Sequence, residues 1–200
     1  MIDRSGSMAG EKMDQVRTAA LQIVEGLEDG EHFNLITYNE GVDLFSNKPV
    51  LSDRGSKVRA RKFIREIRVS GGTNIDGALK AAISQPVREG VVPMVLFLTD
   101  GLPTIGETSE RKIREKVRLL NSGQRRIFTF GVGVDVNTPL LSSLADDSRA
   151  LPTYVLPGET VEVKVASVFR KLRGPVLGFP ELKVFTREGK QASHLVSDLV

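Results

Sequence analysis

Residues 92–101 read VPMVLFLTDG. An almost unbroken apolar run passes straight into Thr99, Asp100 and Gly101. A strand with one wet face alternates apolar and polar residues. This one does not, so it predicts burial on both faces, as in a parallel sheet flanked by helices. The pattern returns at 125–133, RRIFTFGVG. Between the two lies TSERKIREKVRLLNSG (108–123), a helix with Thr108 or Ser109 as N-cap and Gly123 past its end. Strand, helix and strand in that order make a parallel crossover unit.

The alternation extends in both directions. EKMDQVRTAALQIVEGLEDGE (11–31) puts Met13, Val16, Ala20, Ile23, Val24 and Leu27 on one helical stripe, with Gly30 as its stop. HFNLITYNE (32–40) reads as one strand, turning at Asn39 to Gly41 into a short VDLFS strand (42–46). In SDRGSKVRARKFIREIRVSGG (52–72), Ala60, Phe63, Ile64 and Ile67 mark an amphipathic helix ended by Gly71 and Gly72. TNIDGALKAAISQ (73–85) begins another helix. Downstream come a short helix in TPLLSSLADDS (138–148), a strand in PTYVL (152–156) and a last helix in ETVEVKVASVFRKL (159–172). The fold class is therefore α/β, a Rossmann-like, doubly wound, mostly parallel sheet with helices on both faces. After Leu172 the pattern changes. GPVLGFPELKVFTREGK (174–190) reads as strands of a following β-rich module over 173–200, leaving 1–172 as the α/β domain.

Open α/β sheets bind ligands beyond the carboxyl ends of their strands. Asp3, Ser5 and Ser7 of DRSGSM (3–8) fall there, as do Thr73 of SGGTNID (70–76) and Asp100 after VLFLT. All five are oxygen donors, two carboxylates and three hydroxyls. Such a set suits a hard cation such as Mg²⁺. Fully extended, residues 3 and 7 would stand ~13 Å apart, too far to share one ion, so the chain must curl, and Gly6 permits the curl. Two carboxylates formally balance a divalent ion. With hydroxyls inside and carboxylates acting through water, the ion stays electrophilic, and an open position favours an anionic oxygen such as a carboxylate of a partner protein.

Asp3-x-Ser5-x-Ser7, Thr73 in GGTN and Asp100 in LTDG resemble the metal-ion-dependent adhesion site of von Willebrand factor type A domains. The resemblance covers roughly 1–172. RSGSMAGEKM (4–13), GGTNIDGAL (71–79) and VPMVLFLTDGLPTIGET (92–108) are most similar to the inter-alpha-trypsin inhibitor heavy-chain group. It implies a Mg²⁺ or Mn²⁺ ion with Ser5, Ser7 and Thr73 as direct ligands and Asp3 and Asp100 acting through water. It also implies metal-dependent binding of an acidic residue on a protein partner, such as an extracellular-matrix or cell-envelope component, by a secreted or envelope-located module. That family's first strand is apolar, with several residues before the aspartate. Here Met1 and Ile2 precede Asp3, so the first strand is expected to be truncated and the Asp3 to Ser7 segment to lose its anchor.

Composition narrows the alternatives. The 200 residues are 40% hydrophobic, enough for a core of Val, Leu, Ile and Ala in the absence of Trp. With no cysteine, disulfides, thiolate nucleophiles and Cys-ligated metals are excluded. His32 and His194 are the two histidines, read as surface or strand-edge residues. A formal charge of +3 is no nucleic-acid binder's excess, and KVRARKFIREIR (57–68) reads as a solvated basic face rather than a nucleic-acid or glycan site. No apolar run reaches the ~20 residues that span a bilayer. FGVGVD (130–135) lacks the third glycine of a dinucleotide fingerprint. SERK (109–112) stands without the companion motifs of a Ser-x-x-Lys hydrolase. A Mg²⁺-dependent phosphatase of the haloacid-dehalogenase type would need a general acid two residues after Asp3, where Ser5 stands. A structural domain with a vestigial site is the remaining alternative. Asn74 and Asp76 read as capping or supporting residues.

Overall fold

The computed structural model describes residues 1–172, 184–186 and 190. The β-rich module expected over 173–200 lies, apart from those four residues, outside the described residues. Six strands form the main sheet: β1 (Ile2–Asp3), β3 (Ile36–Tyr38), β4 (Val42–Leu44), β6 (Met94–Thr99), β7 (Arg126–Val132) and β8 (Pro152–Val155). Their order is β4-β3-β1-β6-β7-β8, and all neighbours run parallel except β4, which returns antiparallel on β3. β2 (His32–Phe33) and β5 (Val50–Leu51) pair antiparallel in a small second sheet. The helices are α1 (Glu11–Gly26), α2 (Arg54–Arg65), α3 (Ile75–Ile83), α4 (Glu110–Leu120), α5 (Thr138–Asp147) and α6 (Val161–Leu172).

The uninterrupted apolar runs do what their pattern requires. Along β6, Val95 and Phe97 pack with α3, α4 and α5, while Met94, Leu96 and Leu98 pack with α1, α2 and α6. On β7, Ile127 joins the first layer and Phe128, Phe130 and Val132 the second. Side chains alternate sides with period two, and both sides are apolar because helices cover both.

Two helices end earlier than the glycine signals suggest. α1 stops at Gly26, with Leu27 already extended, rather than at Gly30. A Cβ on Gly26 would lie 2.9 Å from Phe169 Cε1, so the glycine lets α6 approach closely. α2 is started by a capping box between Asp53 and Ser56 and ends at Arg65, well before Gly71 and Gly72. The run 32–40 is not one strand. The Asn34 carboxamide bonds to Ser46 O (2.6 Å) and Gln85 Oε1 (2.9 Å) and accepts from Leu35 N and Ser46 N. These bonds replace the ladder and divide the run between two sheets.

Ile2 and Asp3 occupy the centre of the main sheet, between β3 and β6. Ile2 pairs with Thr37 and with Leu98, and Arg4 N donates to Tyr38 O at 2.8 Å. Short as it is, this strand anchors the segment after it, contrary to the expectation that the anchor is lost. Its amino end opens into a hollow of about 1000 Å³ lined by Ala20, Leu35, Met94, Leu96 and Phe169. The Met1 amino group donates to Leu96 O at 2.6 Å there. Burial lowers its pKa from 8.0 to about 5.

Candidate metal centre

At the carboxyl edge of the sheet the polar residues converge. Asp3 is buried, and both of its oxygens are used. Oδ1 accepts from Ser5 N (2.8 Å), and Oδ2 accepts from the hydroxyls of Thr99 (2.6 Å) and Tyr38 (3.2 Å). The chain then curls in a 3-10 turn, Gly6–Met8, closed by Met8 N donating to Ser5 O at 3.0 Å. Gly6 lies outside the left-handed region, and a Cβ there would make only ordinary contact with Gly71 O at 3.5 Å. The curl is thus a property of the turn, not of glycine's freedom. It brings Ser5 Oγ to 3.2 Å from Ser7 Oγ, and the Ser7 hydroxyl donates to Asp100 Oδ1 at 2.8 Å. Asp3, Ser5, Ser7 and Asp100 form one hydrogen-bonded group drawn from two strand ends.

Thr73 arrives on a third segment, stitched to the first by its backbone. Ser70 N donates to Arg4 O (2.9 Å) and Gly6 N to Gly71 O (2.9 Å). Gly71 has φ +74, and a Cβ on Gly72 would stand 2.8 Å from Thr104 Oγ1, so this crossing depends on both glycines. Thr73 is buried, and its N–H donates to Thr104 Oγ1 at 2.8 Å. Asn74 caps α3 by accepting from Gly77 N at 2.9 Å, and Asp76 pairs with Lys116 at 3.0 Å. Both have supporting roles.

Three residues of the group are not evident from the motif. Thr99 and Tyr38 hold Asp3, and Lys12 Nζ lies 2.6 Å from Asp100 Oδ2. Thr99 could have been found as the last residue of the strand that delivers Asp100. Tyr38 and Lys12 carry no local signal.

The electrostatics favour a cation. Burial raises the pKa of Asp3, opposed by hydrogen bonds from Thr99 and Ser5 and reinforced by the nearby Asp100 charge. The Tyr38 hydroxyl is pushed well above its ordinary value by burial, then by Asp3. Among the described residues no group of three or more His, Asp or Glu side chains converges, so the centre consists of hydroxyls and two carboxylates. Oxygen donors alone, around a buried carboxylate whose charge is uncompensated by any direct cationic contact, fit a hard divalent ion.

The fold and this edge define a class, and the sequence places the chain in it: residues 1–165 match the von Willebrand factor type A domain family, to which the chain belongs. Among curated proteins it is similar to inter-alpha-trypsin inhibitor heavy chain H4 of Homo sapiens, 32% identical over 185 residues covering 88% of this chain and 20% of that one. Heavy chain H2 of Mus musculus is 28% identical over the same shares. The chain thus spans about a fifth of the length of these relatives. Among solved structures, a von Willebrand factor type A protein from Catenulispora acidiphila aligns with TM-score 0.72 at 22% identity, covering 86% of this chain and 40% of that one. Proximal thread matrix protein 1 of the mussel byssus, described with a zinc-occupied metal-ion-dependent adhesion site, aligns with TM-score 0.63 at 20% identity, covering 86% and 43%. No helix among the described residues is long and apolar enough to cross a membrane.

Proposed function

We propose that this domain is a metal-ion-dependent protein-binding module rather than an enzyme. Ser5, Ser7 and Thr73 would hold Mg²⁺, or Mn²⁺, directly, with Asp3 and Asp100 acting through water. When bound, the ion supplies an electrophilic centre that attracts a carboxylate oxygen of a partner protein. The protein's own residues do the rest. Thr99 and Tyr38 fix the Asp3 carboxylate, the 3-10 turn fixes Ser5 and Ser7, and the Gly71–Gly72 crossing brings up Thr73. The partner is an acidic segment of an extracellular or envelope protein, and the module acts outside the cell or in its envelope.

One observation carries this reading: the direct hydrogen-bonded linkage of Asp3, Ser5, Ser7 and Asp100 across the carboxyl edge. Phosphatase chemistry finds less support. A haloacid-dehalogenase-type mechanism needs a general acid two residues after Asp3, and Ser5, which stands there, cannot serve as one at neutral pH.

Thermal unfolding in 10 mM Mg²⁺ and in excess chelator tests the proposal. The expected result is a higher midpoint with Mg²⁺, because a ligand that binds only the folded state stabilises it, and loss of that increment in Asp100→Ala. Identical midpoints for the unaltered chain in both buffers would overturn it.

A further inference from the structure

Lys12 stands where helix electrostatics do not call for it. It is the second residue of α1, in the first turn, where the helix macrodipole favours negative side chains such as its neighbours Glu11 and Asp14. Its side chain runs across Gly133, at the end of β7, where a Cβ would lie 3.4 Å from Lys12 Cε. The ammonium reaches Asp100 Oδ2 at 2.6 Å and Ser7 O at 3.3 Å. The partners are unequal: the Asp100 side chain is fully buried, while that of Lys12 is 36% exposed. A buried carboxylate needs a counter-charge, and Lys12 supplies it from the rim.

We infer that Lys12 is a tethered stand-in for the divalent ion, and that metal loading is coupled to release of its ammonium from Asp100. This rests on the metal-binding reading above. Lys12 Nζ holds one oxygen of Asp100, and Ser7 Oγ holds the other. A divalent ion held by the Ser5, Ser7 and Thr73 hydroxyls would therefore meet a second positive charge already paired with the buried Asp100 carboxylate, and the two cations would repel. Lys12 has somewhere to go, because its side chain is already partly in solvent. The rest of the centre does not depend on it. Asp3 is held by Ser5 N, Thr99 and Tyr38, and the 4–6 and 70–71 segments hold each other through the backbone. Once released, the ammonium turns outward into solvent at the rim, kept on the same edge by its tether. That edge then carries two carboxylates against a divalent ion and a lysine, a net positive charge that favours an acidic partner.

The test compares Mg²⁺ binding by the unaltered chain, Lys12→Met and Lys12→Arg, measured by calorimetric titration and by the unfolding midpoint in chelator. Lys12→Met should unfold at a lower temperature without metal yet bind Mg²⁺ about tenfold more tightly. Lys12→Arg, which retains the charge, should stay within about twofold of the unaltered chain. A measurement on the unaltered chain accompanies these. Acetylation of Lys12, read by mass spectrometry, should speed up several-fold when Mg²⁺ is added. Unchanged or weaker Mg²⁺ binding by Lys12→Met, or Lys12 acetylation indifferent to Mg²⁺, would overturn the inference and leave the metal-binding reading standing. Absence of Mg²⁺ binding in all three proteins would overturn both.

Discussion

The two ends of the central strand are opposites. At its carboxyl end Asp3 is buried, and each of its oxygens accepts a hydrogen bond from a nearby donor. At its amino end, two residues away, Met1 carries a buried amine beside an apolar hollow of about 1000 Å³. The same backbone ladder serves both. The lesson is that the carboxyl edge is ordered by the 70–73 crossing, by β3 and β6 and by the buried residues Met8, Met13 and Tyr38, whatever the hollow at the other end of the strand.

The sharpest contrast should appear with pH. The amine has a folded pKa of about 5 against 8.0 unfolded. Its stabilising contribution is therefore whole above pH 8 and lost as pH falls through 5, by up to about 4 kcal/mol. Asp3 has the opposite sign. Its folded pKa is raised above 3.8, so its contribution is present below that value and lost as pH rises through the folded pKa. Urea midpoints between pH 5 and 8 should fall on acidification for the 200-residue chain, and N-terminal acetylation should flatten the decline. A chain whose decline survives acetylation would break the comparison at its amino end.

Next in size is loss of the Asp3 acceptor. Asp3→Ala leaves the Ser5 amide and the Thr99 and Tyr38 hydroxyls without it and should cost about 2–4 kcal/mol. Asp3→Asn keeps one carbonyl acceptor and removes a buried charge, so chemical denaturation should show a loss below about 1 kcal/mol. Equal losses would mean that the charge, rather than the hydrogen bonding, holds this end together.

The smallest effect separates hollow from filled core. Ala20 lines the hollow, and Ala78 of α3 is fully buried in the opposite layer. Ala20→Val should change stability by less than about 1 kcal/mol, because the added methyl groups enter free space. Ala78→Val should cost about 1–3 kcal/mol through overpacking. Matching denaturation midpoints would show that the hollow closes in solution.

Much of this was legible in the residues. Uninterrupted apolar runs at 94–98 and 127–132 can be buried only on both faces, and helical stripes at 13–24 and 60–67 supply the cover, so the α/β layers follow from periodicity alone. The convergence of Asp3, Ser5, Ser7 and Asp100 follows from the rule that strand ends in such sheets share an edge. What escaped was set by contacts distant in sequence. Asn34 divides a strand by bonding to Ser46 and Gln85, a choice that no local pattern encodes. Glycine marked the ends of α1 and α2 too late: α1 stops at Gly26, against which Phe169 packs, and α2 stops at Arg65 with Glu66 as its C-cap. Lys12 reads as an ordinary helix-surface cation until the fold carries it to Asp100.

The stitching of residues 4–6 to 70–71 also has a mechanical consequence. A partner that grips this edge and is pulled away would tug on a two-residue strand, a ribbon with little shear strength of its own. Tension would instead be shared with the neighbouring crossing through Ser70 N–Arg4 O and Gly6 N–Gly71 O, and with β3 through Arg4 N–Tyr38 O. These rungs resist together, so the grip would yield by detachment of the whole edge rather than strand by strand.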